Sequence, residues 1–262
     1  MQPDAPESRR TGAADRTDFG FRRVAPSEKT SLVRAVFDGV AGRYDLMNDL
    51  MSFGVHRLWR EALIDWLAPR PPMRLIDVAG GTGDIAFRFL DRAGRFGPGA
   101  SAVVADQSPE MIRVGETRAI DRGILRDLRW IAAPAEALPV ESGVFDACTI
   151  AFGLRNVTDR SQALAEMQRV LKPGGRFICL EFAPVETPIL ASLYDRYSFA
   201  VVPRLGGLVT GRADAYRYLV ESIRRFPDPR TLAGEMAAAG FSRVRFRLLS
   251  GGIAALHSAW RI

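Results

Sequence analysis

The stretch Asp77-Val78-Ala79-Gly80-Gly81-Thr82-Gly83-Asp84 decides how this chain folds. The apolar run from Met73 to Val78 predicts a buried strand, the glycines break it, and the residues after Gly83 predict a helix over 84–93. A strand, a glycine turn and a helix in that order bring backbone amides to a helix N-terminus. Closely spaced glycines let those amides approach a ligand that side chains would otherwise hold away. A dinucleotide loop reads G-x-G-x-x-G and aims its first helical turn at a pyrophosphate. Here an acid, Asp77, precedes the loop, and the glycines run G-G-x-G at Gly80, Gly81 and Gly83. That order suits a ligand without phosphates that has an amino-acid end and a nucleoside end, as S-adenosylmethionine does.

A second acid points the same way. Asp106 ends the next apolar strand, Ala102 to Ala105, 23 residues after Gly83. A doubly wound sheet places a carboxylate there against ribose hydroxyls, where it accepts two hydrogen bonds from a vicinal diol. The competing reading is that Asp106 belongs to the start of the helix beginning at Ser108-Pro109-Glu110.

Outward from this pair, strands and helices alternate: strands at 73–78, 102–106, 128–133, 145–151 and 176–182, helices at 84–93, 109–122 and 160–171. Such alternation implies an α/β fold with a parallel sheet covered on both faces. Lys172-Pro173-Gly174-Gly175 reads as a helix stop and turn. A helix at 230–240 and two strands joined through Ser250-Gly251-Gly252 would make the sheet mixed at one edge. Two amphipathic helices precede it, with apolar stripes Leu32, Val33, Val36, Phe37, Val40, Tyr44 and Leu58, Trp59, Ala62, Leu63, Trp66, Leu67. The domain plan is therefore a disordered tail over 1–18 and one domain over 19–262. Within it lie a helical cap (19–72), a cofactor-binding core (73–182), an apolar insertion (183–229) and a C-terminal helix and hairpin (230–262). The insertion either roofs a pocket for a greasy substrate or packs on the domain as an added helix pair.

At 262 residues, with 47% hydrophobic and 25% charged residues, the composition is that of a globular protein rather than a disordered or membrane-spanning one. No run approaches the roughly 18 apolar residues of a membrane span, and the acidic N-terminal stretch argues against a secretion signal, so a cytoplasmic location is expected. Cys148 and Cys179 lie in strand-like runs with neither disulfide nor metal spacing, and no metal is expected. Net charge is +6 and Lys29 and Lys172 are the only lysines. The many arginines are scattered, without the concentrated basic face of a nucleic-acid enzyme. Arg243, Arg245 and Arg247 alternate with Val244 and Phe246, as on a strand whose basic face could meet anionic lipid.

Several longer blocks carry a resemblance. They are Val36-Phe37-Asp38, Tyr44 to Trp59, Ala79 to Asp84, Ala135 to Pro139, Ala151 to Asp159, Arg169 to Gly175, Tyr216 to Leu219 and Gly252 to His257. Together they cover nearly everything after Asp18, and the chain resembles the ubiquinone/menaquinone biosynthesis C-methyltransferases. The resemblance implies a Rossmann-like class I S-adenosylmethionine-dependent methyltransferase fold, with a seven-stranded, mostly parallel sheet and one antiparallel edge strand. It implies C-methylation of a prenylated quinol ring. It also raises contact with the inner membrane and with other quinone-biosynthesis enzymes, and leaves a homodimer open. No nucleic-acid partner is expected, although an RNA or other small-molecule methyltransferase remains the alternative, as does a cofactor-sensing interaction protein.

Set on matching positions, the resemblance gives the cofactor Asp77, Gly80, Gly81, Thr82, Gly83, Asp106, Pro134, Ala135 and Ala151. Thr82 and the glycines would hold the methionine end, Asp106 the ribose, and 133–135 the adenine. Pro134 stands where relatives carry Asp or Asn, and Ala151 where they often carry Ser, so two polar contacts are absent. The candidate catalytic residues are Arg155, His56, Tyr44 and Asn156. Arg155 either stabilises a phenolate or pairs with an acid such as Asp159; His56 is a base or a structural histidine. Tyr44 and Asn156 orient ring oxygens, unless Tyr44 is packing.

Overall fold

The computed structural model describes residues 16–39, 42, 48–49, 52, 54–184 and 213–262. The described chain opens on an antiparallel hairpin, β1 (Thr17–Phe19) and β2 (Arg22–Val24), that the sequence reading did not contain. Thr17 and Asp18 thus belong to a strand and not to the tail expected over 1–18. Gly20 turns the hairpin with φ +58, and a Cβ there would collide with Glu221, whose Oε2 accepts from the Phe21 amide at 3.0 Å. Phe19 stacks on Tyr218 at 4.2 Å between ring centroids.

Helix α1 (Pro26–Asp38) starts on a proline at its first turn and buries Lys29 and Val33, with Val36 and Phe37 packed against the core. Val40 and Tyr44, which end the expected stripe, lie outside the described residues. Helix α2 (His56–Leu67) buries Trp59, Leu63, Ile64 and Leu67. Leu58, expected on that buried stripe, faces solvent at 68% exposure. The helix ends on Ala68 in the left-handed region, just ahead of Pro69.

The sheet follows from the alternation: β3 (Arg74–Val78), α3 (Asp84–Gly94), β4 (Ser101–Asp106), α4 (Pro109–Asp121), β5 (Leu128–Ala132), β6 (Phe145–Ala151), α5 (Arg160–Val170) and β7 (Leu171–Phe182). After residue 212 come α6 (Ala213–Arg225), α7 (Pro229–Ala238), β8 (Ser242–Leu249) and β9 (Ala254–Trp260). Strand order is β5-β4-β3-β6-β7-β9-β8. The five strands β3 to β7 pair in parallel, and β9 runs antiparallel to both β7 and β8, so the sheet is mixed at that end. Lys172 to Gly175, expected to precede the strand, bulge out of it: Leu171 pairs with Phe145, and the ladder resumes at Arg176 opposite Ala147. Of the insertion at 183–229, residues 185–212 lie outside the described residues. Its end, α6, buries Tyr216, Leu219, Val220 and Ile223 in the same cluster as Val33, Trp59 and Leu63.

Chain order reverses beside β3, whose neighbours are β4 on one side and β6 on the other. Ligands of open α/β sheets bind beyond the carboxyl ends of strands at such a point.

Candidate active site

The glycine loop is built on an acid. Asp77 is 1% exposed, and its Oδ1 accepts from Thr149 Oγ1 of β6 at 2.7 Å. Its Oδ2 has no hydrogen-bond partner among the described residues, and burial pushes its pKa up to about 7. Gly80 lies directly on this carboxylate: a Cβ there would stand 2.6 Å from Asp77 Oδ2 and 2.8 Å from Val104. Gly83, with φ +82, caps α3, and a Cβ on it would meet Trp130 at 2.6 Å. Gly115 of α4 leaves room for the same indole. Gly80 and Gly83 therefore shape the loop by close approach of neighbouring side chains.

Asp106 stands at the tip of β4, 8% exposed. Its Oδ2 accepts from Gly81 N and its Oδ1 from Ser108 N, each at 2.8 Å. Burial raises its pKa to about 6 although both amides favour the carboxylate. The competing reading also holds in part, because Ser108 is the N-cap of α4, its hydroxyl accepting from Met111 N at 3.1 Å.

A cleft opens here, bordered by Ala79 and Gly81, Asp106, Ala133 and Ala135, Asn156 and Phe37. Asp106, Gly81, Ala135 and Asn156 thus come together as expected. The other six expected cofactor residues, Asp77, Gly80, Thr82, Gly83, Pro134 and Ala151, do not border the cleft. Thr82 is buried and its hydroxyl accepts from Arg118 Nη1 of α4 at 2.9 Å. Ala151 is half-buried and packs against the core cluster that contains Trp59 and Phe182, and Pro134 borders a different, larger cavity.

The larger cavity, about 1090 Å³, shares Glu136, Val157 and Thr158 with the cleft. Glu136 was not singled out by the sequence reading. Its Oε1 accepts from Thr158 N at 2.8 Å and Asp159 N at 3.1 Å, holding the loop that carries the candidate catalytic residues. Lys29 of α1 anchors on the same loop, donating to Val157 O at 2.7 Å; burial lowers its pKa to about 8.

Arg155 borders the larger cavity. Its partner is Glu181 rather than Asp159: Nη1 donates to Glu181 Oε2 at 2.9 Å, and the backbone amide donates to Oε1 at 3.2 Å. Asp159 instead caps α5, accepting from Gln162 N at 2.9 Å. Arg155 Nε is buried without a partner among the described residues. Asn156 Oδ1 accepts from Tyr218 OH at 3.0 Å, so the tyrosine fixes which way the amide faces. His56 is 1% exposed at the start of α2, its Nδ1 2.9 Å from Ser52 Oγ, and it borders neither cavity. Tyr44 lies outside the described residues.

These residues suit S-adenosylmethionine. The ligand is a sulfonium with an ammonium and a ribose diol; Asp106 borders the cleft with a carboxylate, and Asp77, buried behind Gly80, keeps one oxygen without a hydrogen-bond partner among the described residues. The loop lacks the G-x-G-x-x-G order of a pyrophosphate site.

Comparison with known proteins agrees. The ubiE/COQ5 methyltransferase family matches residues 24–261. The chain is 54% identical over 263 residues, 100% of both chains, to a protein of Paracoccus denitrificans named ubiquinone/menaquinone biosynthesis C-methyltransferase UbiE. A protein of the same name from Brucella abortus is 51% identical over 97% of each chain. Among solved structures, an S-adenosylmethionine-dependent methyltransferase from Aquifex aeolicus has a TM-score of 0.59 at 15% identity, covering 91% of this chain and 100% of that one. One from Thermotoga maritima, described as a possible histamine N-methyltransferase, has a TM-score of 0.60 at 18% identity over 88% of this chain and 100% of its own. The structural likeness is one of fold, and the sequence likeness runs end to end: the chain belongs to the ubiE/COQ5 methyltransferase family.

Proposed function

We propose that the chain methylates a ring carbon of a prenylated quinol, with S-adenosylmethionine as donor, in ubiquinone or menaquinone biosynthesis. The observation that carries this reading is the full-length identity to proteins named for that reaction. When bound, S-adenosylmethionine supplies an electrophilic methyl whose leaving thioether is neutral, so the protein's part is alignment and charge. A quinol carbon becomes a good nucleophile as the neighbouring hydroxyl loses its proton. A guanidinium is no base; Arg155 stabilises the phenolate or a water that takes the proton, from the wall of the larger cavity. Asn156, held by Tyr218, orients a ring oxygen. His56, engaged with Ser52, takes no part in this reading.

The test is direct. The purified chain is given labelled S-adenosylmethionine and a reduced prenylated quinol lacking the ring methyl, of the benzoquinol and naphthoquinol types in turn. A ring-methylated product is expected from at least one, and transfer to neither would overturn the proposal. Deleting the gene and identifying the accumulated demethylated quinone by mass spectrometry separates the two ring types.

A prenylated substrate resides in a bilayer, and no helix among the described residues is long and apolar enough to cross one. Arg243, Arg245 and Arg247 are exposed on β8, the outermost strand of the sheet among the described residues. This edge is proposed to rest on anionic lipid. Flotation with vesicles containing acidic lipid is expected and should fall as salt rises; no flotation with any vesicle would end the idea.

The two loop acids also set a pH dependence. Their folded pKa values, about 7 for Asp77 and about 6 for Asp106, lie above the 3.8 of an unperturbed aspartate. The folded chain therefore binds more protons than the unfolded one in this window, and their contribution to stability declines as pH rises from about 4 to 7. A cationic, diol-bearing ligand favours the ionised forms, so its binding strengthens over the upper part of that range and releases protons. The rise in melting temperature given by S-adenosylmethionine is expected to be larger at pH 7.5 than at pH 5. Equal protection at both values would separate these acids from the ligand.

A further inference from the structure

Helix α1 ends against the cleft. Phe37 borders it, and the next residue, Asp38, accepts a hydrogen bond at Oδ1 from Ser108 Oγ at 2.5 Å. Ser108 N in turn donates to Asp106 Oδ1, and Asp106 Oδ2 accepts from Gly81 N. Asp38, Ser108, Asp106 and Gly81 thus form one unbroken line of hydrogen bonds from the helical cap to the glycine loop. The other end of α1 is fastened separately, by Lys29 on Val157 O and by Thr30 to Thr158 at 3.1 Å between hydroxyls. Three charged groups bear on this end of the line: Arg34 of α1, 3.5 Å from Asp38 Oδ2, Asp38 itself and Asp106.

Between these walls the cleft holds only about 50 Å³, against roughly 300–1,000 Å³ for sites that take small ligands. A nucleoside can enter or leave only when a wall gives way. The floor is strand ends and the glycine loop, packed on Asp77, Val104 and Trp130. The wall carrying Phe37 is the last turn of one helix, which packs on the core through Val36 and Phe37 and is hydrogen-bonded to the sheet side through Asp38 and Ser108.

We propose that Asp38 is a positioning residue of the cofactor site: through Ser108 it holds Phe37 over the cleft, and breaking this bond is the step that lets the spent nucleoside thioether out. The proposal rests on the methyltransferase reading. It concerns a residue that touches neither reactant, so Asp38 acts on the lifetime of the complex more than on its formation, and product release is a common limit on turnover.

The test uses the full chain and the dissociation rate of bound S-adenosylhomocysteine, measured by chase with excess unlabelled ligand. Asp38→Ala is expected to raise that rate about tenfold, the loss of one hydrogen bond to a charged acceptor, with the association rate changed less than about twofold. Asp38→Asn should stay within about twofold of the parent, because its amide oxygen accepts from the same hydroxyl. Ser108→Gly removes the hydroxyl at an N-cap position where glycine is tolerated and should match Asp38→Ala. The double variant Asp38→Ala/Ser108→Gly should be no faster than either single one, the signature of a shared interaction. A parent-like rate in Asp38→Ala, multiplied effects in the double variant, or an Asp38→Asn as fast as Asp38→Ala would each overturn the proposal; the last would assign the effect to charge on Asp106. Failure of the parent chain to bind the ligand at all would overturn the methyltransferase reading itself.

Discussion

Arg155→Ala is expected to destabilise the fold by about 3–5 kcal/mol, the range for stripping one partner from a buried ion pair. In a chain of this size that lowers the melting temperature by roughly 10 °C. The reason is Glu181, 1% exposed on β7, whose carboxylate oxygens accept from the Arg155 guanidinium and backbone amide. Without the guanidinium, a charge stays in the sheet with nothing to balance it. Loss of methyl transfer in this variant alone would therefore say little about chemistry. The informative variant replaces both partners, Arg155→Met with Glu181→Leu, since an apolar pair of similar size often folds as well as the ions it replaces. Thermal melts of the double variant should return close to the parent. Turnover should stay depressed by about a hundredfold, the usual cost of losing one donor to a developing oxyanion. Should the double variant regain both stability and turnover, Arg155 is a structural residue and the phenolate needs another partner.

The contrast between Arg155 and the glycine loop shows what a sequence displays of a site. Periodicity and glycine spacing gave every parallel strand within about two residues, apart from the start of β7, because burial on both faces writes a continuous apolar run and each turn needs residues that bend. The acid at the tip of β4 was legible for the same reason: its position is fixed by the strand that carries it. Tertiary partners were not legible. Glu181 lies 26 residues from Arg155 and meets it because β6 and β7 are neighbours, whereas Asp159 lay near in sequence and was taken up by capping α5. Nor did spacing separate the loop glycine that borders the cleft from those that make room for side chains. Gly80 and Gly83 are required by Asp77 and Trp130, and only Gly81 borders the cleft. Ser108 looked like a helix cap and is one, yet its hydroxyl also reaches Asp38. A side chain with two roles shows only the local one in sequence.

Asp106→Ala should weaken S-adenosylmethionine by roughly 2–4 kcal/mol, or about 30-fold to nearly a thousandfold in Kd. Two losses add here. In the proposed site a ribose diol would lose a charged acceptor, and the amides of Gly81 and Ser108, which Asp106 now holds at 2.8 Å, lose the group that fixes the loop against the tip of β4. The two can be told apart with S-adenosylhomocysteine and its 2′-deoxy analogue, titrated by calorimetry into parent and variant. If the carboxylate holds the diol, the parent prefers the natural ribose and Asp106→Ala binds both ligands about equally. If Asp106 only shapes the loop, both ligands weaken by the same factor and the preference survives. Asp106→Asn sharpens the distinction: its amide keeps one acceptor oxygen but presents an N–H₂ where the second backbone amide donates. It should therefore fall between parent and alanine for the loop and near alanine for the diol. Affinity in Asp106→Ala equal to that of the parent would remove the acid from the cofactor site. The cleft bordered by Gly81 and Ala135 would then have to hold its nucleoside by shape alone, a weak hold for a ligand whose most distinctive groups are two hydroxyls and two positive charges.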